Sequence, residues 1–148
     1  MVVIGAEAVI YLTNLQNLVR IPAKFLTRAA KRVVREQRLR GDISIVFVDN
    51  RTIRRLNRRH LGRDRVTDMI SFPLGDEVNP YERTAGEIVV SAQRAQQEAK
   101  RRNFPVRREL LLYVVHGLLH LCGYDDDTPE RRRKMRLREK DFLDAFLS

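Results

Sequence analysis

Leu110-Leu111-Leu112-Tyr113-Val114-Val115-His116-Gly117-Leu118-Leu119-His120-Leu121-Cys122-Gly123-Tyr124-Asp125-Asp126 decides how the rest of the chain is read. From Leu110 to Leu121 the residues are apolar almost all round, and Pro105 can open a helix just before them. This predicts a buried central helix. It is too short to span a bilayer and carries two histidines. Histidines at i and i+4 project from one helix face and can chelate a single ion. Gly123 lies where the helix should stop, because glycine takes the left-handed conformation without a Cβ clash. The chain can then turn back and bring a carboxylate to the pair. Asp126 is placed to do so, with Asp125 and Asp127 as rivals. Two nitrogens and one carboxylate oxygen suit zinc and leave a position open for water. A His pair one turn apart also occurs as mere core packing. The glycine and the acidic run after it favour the metal.

Outward from this helix, short apolar runs alternate with helical patterns. Val9 to Leu12 is β-prone, and so are Ile43 to Val48, Val66 to Phe72 and Glu87 to Val90. Phe25, Leu26, Ala29, Ala30, Val33 and Val34 recur at helical spacing after Pro22, and Gly41 is expected to end that element. Asp49 and Asn50 read as capping residues for a helix burying Ile53 and Leu56; Ser91 caps another carrying Ala92, Ala95 and Ala99. A polar connection with Gly75, Pro80 and Gly86 is longer than most. A last helix from Thr128 should turn Met135, Phe142, Leu143 and Phe146 inward. The mixture predicts an α+β fold with one sheet covered by helices.

With 148 residues, 43% hydrophobic and 32% charged, residues 1–148 fit one soluble domain with a real core. A net charge of +10 attracts polyanions, RNA foremost among them. The single cysteine, Cys122, excludes an intrachain disulfide; it lies on the other side of the helix from the pair and reads as a small core residue. Nothing in Met1 to Glu7 resembles a secretory leader, so a cytoplasmic setting without a membrane or disulfide-linked partner is expected. His60 reads as a packing residue. Arg131 to Lys134 reads mainly as a solvated helix face.

The His116–Asp126 segment resembles the H-G-x-L-H-L-x-G-Y-D-H signature of the YbeY family of bacterial rRNA maturation factors. Thr67 to Pro73 is similar to its T-D-V-L-S-F-P block, and Gly86 to Ser91 to its G-D-I-x-I-S strand. Leu56-Asn57 with Gly62-Arg63-Asp64 resembles its L-N-x-x-Y-R-G-K-D run. These blocks keep their order over residues 43 to 127. Two positions depart from the pattern: Asp126 replaces the usual third histidine, and Leu61 stands where the family has an arginine before the Gly-Lys-Asp run.

The resemblance implies a mixed, roughly four-stranded sheet flanked by helices, with the metal site on the central helix and following turn. It implies a metal-dependent, single-strand-type endoribonuclease acting in 16S rRNA 3′-end maturation and ribosome quality control, with rRNA and the small ribosomal subunit as partners. His116, His120 and Asp126 would hold one Zn2+, or another divalent ion such as Ni2+, and act through its bound water. Arg58, Arg59 and Arg63 are the candidate RNA contacts. The alternative is a non-catalytic, zinc-stabilised RNA-binding factor for ribosome assembly. A small metalloprotease is weaker, because Gly117 stands where such enzymes carry a general-base glutamate.

Overall fold

The computed structural model describes residues 8–73 and 84–147. Strands β1 (Ile10–Asn14), β2 (Asp42–Val48), β3 (Met69–Pro73) and β4 (Thr84–Ser91) form one sheet in the order β1-β2-β4-β3. β1 and β2 are parallel, with Ile10 opposite Ile43, and β2 runs parallel to β4. β3 closes the other edge antiparallel to β4, pairing Met69 with Val90 and Pro73 with Gly86. Five helices are described: α1 (Ala23–Glu36), α2 (Asn50–Leu61), α3 (Ala92–Arg102), α4 (Val106–Leu121) and α5 (Pro129–Leu147). The expected mixed α+β architecture is observed.

Side chains alternate across the pleat, so β2, β3 and β4 serve two cores. Ile43, Ile45, Phe47, Ile88 and Val90 join α1, α4 and α5 in the larger core. Val48, Ile70 and Val89 face the other way and meet Ile53 of α2, with Leu56 and Phe72 at the margin. α4 lies in the middle of the larger layer, touching β3, β4, α1, α3 and α5. That is why its sequence is apolar on nearly every side.

The capping signals act as read. Asp49 accepts from Thr52 N at 2.8 Å, and Ser91 Oγ accepts from Arg94 N at 3.1 Å. Several boundaries move. α1 stops at Glu36, where the chain turns through Arg38 (φ 55°); Gly41 (φ 92°) instead launches β2. β3 begins only at Met69, so Val66 to Asp68 lead into it. Gly86 belongs to β4 and not to the long connection, whose remaining residues 74–83 lie outside the described residues, as do residues 1–7. Phe146 is half-buried, its ring edge-on to Phe25 at 6.5 Å.

Candidate metal centre

The last turns of α4 build the site. His116 and His120 sit one turn apart, rings edge to face with centroids 4.6 Å apart and Nε2 atoms 3.0 Å apart. The helix then closes as expected. Gly123 (φ 96°) donates from its N to His120 O, and Tyr124 N reaches back to Leu119 O at 3.0 Å. This paired closure satisfies the terminal carbonyls and reverses the chain. The reversal brings Asp126 Oδ2 to 3.8 Å from His116 Nε2 and 3.9 Å from His120 Nε2. Its rivals are engaged elsewhere. Asp125 Oδ1 accepts from Asp126 N at 2.9 Å, and Asp127 pairs with Arg131 at 3.0 Å.

The donors fit a transition metal. A point equidistant from atoms separated by 3.0, 3.8 and 3.9 Å lies about 2.1 Å from each. Zn–N and Zn–O bonds measure about 2.0–2.2 Å. Among the described residues these three are the cluster of potential ligands, their donor atoms all within 4.8 Å of one another.

One residue of the site was not read from the sequence. Glu139 of α5 takes His116 Nδ1 as hydrogen-bond partner at 2.5 Å and is only 8% exposed. Its signal was present: 139 falls on the inward stripe with Met135, Phe142 and Leu143, all buried. A carboxylate at a core position requires a partner.

Cys122 is corrected. It caps α4 and is half-buried, lining a groove of about 440 Å³ with Gly123, Tyr124, Asp125, Arg131 and Lys134. Burial pushes its thiol pKa up, so it is not a ready nucleophile. His60 stands outside the cluster, exposed at the end of α2 with its ring edge-on to Phe72 at 5.2 Å.

Arg58, Arg59 and Arg63 are exposed on and after α2, across the sheet from the histidines. They nevertheless lie at the same end of it. His60, next to Arg59, touches Phe72; the neighbouring Pro73 pairs with Gly86; and Gly86 packs against Leu121, next to His120. Leu61, at the end of α2, is 52% exposed.

A helix-borne His/His/Asp cluster at the end of a mixed α+β sheet defines a small protein with an open, zinc-type donor set. A family model described as Endoribonuclease YbeY matches residues 11–147, and the chain belongs to that family. It is 36% identical over 138 residues to an Endoribonuclease YbeY of Carboxydothermus hydrogenoformans, covering 91% of this chain and 95% of that one. Its identity to the protein of that name from Clostridioides difficile is 41% over 109 residues, covering 71% of each. The solution structure of a Thermotoga maritima protein superposes with a TM-score of 0.66 at 26% identity, covering 93% of this chain and 88% of the other. Among the described residues, no helix is long and apolar enough to cross a membrane.

Proposed function

We propose that the chain, residues 1–148 acting as one domain, is a metal-dependent endoribonuclease that hydrolyses single-stranded segments of RNA. Its setting would be the cytoplasm and its task 16S rRNA 3′-end maturation and ribosome quality control, with rRNA and the small subunit as partners. The observation that carries the reading is the convergence of His116 Nε2, His120 Nε2 and Asp126 Oδ2, in a member of the YbeY family.

Those three side chains would hold one divalent ion, Zn2+ first and Ni2+ as a substitute. When bound, such an ion polarises a scissile phosphoryl group and lowers the pKa of water beside it. The protein's own groups do the rest. The half-exposed Asp126 leaves the centre open to a long polymer. Asp125 lines the groove and offers its second carboxylate oxygen as proton acceptor. Arg58, Arg59 and Arg63 would draw the phosphate backbone over the end of β3. The test is cleavage of a defined rRNA fragment by metal-loaded protein, abolished in His116→Ala of equal purity and fold.

Leu61 favours one second reading. Without the arginine of the family pattern, the chain would bind RNA as an assembly factor, with zinc holding α4 to its following turn. Retained RNA binding without cleavage in the metal-loaded parent would select it.

A further inference from the structure

We propose that Glu139 is a positioning residue for the metal centre, making α5 part of the site. The inference rests on the reading that His116, His120 and Asp126 hold a metal.

Three observations support it. First, Glu139 is nine-tenths buried on the stripe of α5 that otherwise carries Met135, Phe142 and Leu143. A carboxylate there is costly unless it is bonded. Second, the partner found for it among the described residues is a candidate ligand, His116, through Nδ1. Third, the atom division is right. With Nδ1–H donating to Glu139, the lone pair of His116 lies on Nε2. That atom is the one 3.0 Å from His120 Nε2 and 3.8 Å from Asp126 Oδ2. The carboxylate thus fixes both the tautomer and the ring rotation, so the ligand is aimed before the ion arrives. Carboxylates behind metal-bound imidazoles act in this way, and their loss costs about 10–100-fold in metal affinity. Here the helix that supplies the carboxylate starts just after the turn carrying Asp126. One helical hairpin therefore delivers both the third donor and the group that orients the first.

The test measures zinc affinity by chelator competition in the parent, Glu139→Gln, Glu139→Ala and His116→Ala. It also determines the His116 tautomer in the zinc-loaded parent by long-range nitrogen–proton NMR. Glu139→Ala is expected to lose about 10–100-fold in affinity. Glu139→Gln keeps an acceptor oxygen of the same reach and should lose less. The NMR spectrum should show His116 protonated at Nδ1 and bound through Nε2. This measurement needs no variant and so does not depend on the substitutions folding. Parent-like affinity in Glu139→Ala, or a His116 bound through Nδ1, overturns the inference. If the parent itself binds no zinc, or His116→Ala binds it equally well, the metal reading falls and takes this inference with it.

Discussion

A Cβ added to Gly117 would lie 2.7 Å from Ile88 Cγ2 and 2.8 Å from Met69 Cε. The residue after the first histidine therefore faces the sheet and not the metal. Proteases with a related zinc-binding helix use a glutamate at this position as general base. Here a glutamate would be driven between β3 and β4, so the protease reading fails on space as well as on chemistry. Gly117→Ala sets an overpacking cost of about 1–3 kcal/mol against roughly 1 kcal/mol of gained helix propensity. A net loss of stability is expected, seen as a lower urea midpoint with unchanged slope. A midpoint raised by the full propensity gain would show that α4 is not seated this closely on β4.

Affinity for RNA should fall steeply with salt, given the formal net charge of +10. Arg58 and Arg59 are exposed on α2, whereas Arg54 is tied to Asp64 at 2.9 Å. Replacing Arg58 and Arg59 with alanine should lower the log–log salt slope by roughly 1.4, about 0.7 per phosphate contact on a single strand. Arg54→Ala should change it less. A slope unchanged by the double substitution would move the RNA path away from α2.

Asp49 offers a check on α2 itself. Hydrogen bonding from Thr52 N holds its carboxyl pKa below the ordinary value. A folded-state pKa below the unfolded one adds stability that is present above about pH 4 and lost as pH falls through the folded value. Asp49→Ala should thus cost about 1 kcal/mol at neutral pH. The gap between parent and variant should narrow in acid. Urea titrations at pH 7, 5 and 3 measure it; a gap that widens in acid would contradict the cap.

The histidine pair, the glycine turn and the acidic run were legible because a helix end is a local event: spacing and one conformation settle it. The caps at Asp49 and Ser91 were legible for the same reason. Strand order was not, since nothing within Ile10–Asn14 states that it lies beside β2 and leaves β4 to pair with β3. Glu139 was overlooked because α5 is dense with charge and its partner lies 23 residues away. The clue was its place four residues after Met135 and four before Leu143. Cys122 was misread because its helix stops beneath it, which turns a core-like position into the wall of a groove.

Asp126 is one of the two positions at which this chain departs from the pattern it resembles, and the consequence can be measured. Its carboxylate reaches the two imidazoles at 3.8 and 3.9 Å, with 48% of the side chain exposed. A carboxylate donor brings a negative charge that a neutral imidazole lacks, so it partly neutralises a bound cation. Water beside that cation should then ionise above the value of roughly 7 typical of an all-histidine site. Asp126→His should retain metal and move the alkaline-rising limb of RNA cleavage to lower pH. Asp126→Ala should lose metal affinity, because one of three donors is gone. Metal content, chelator competition and cleavage against pH, run side by side on both variants, separate the outcomes. If Asp126→Ala holds metal like the parent and keeps its pH profile, the carboxylate is not a ligand. The centre would then rest on the two histidines and a donor from elsewhere.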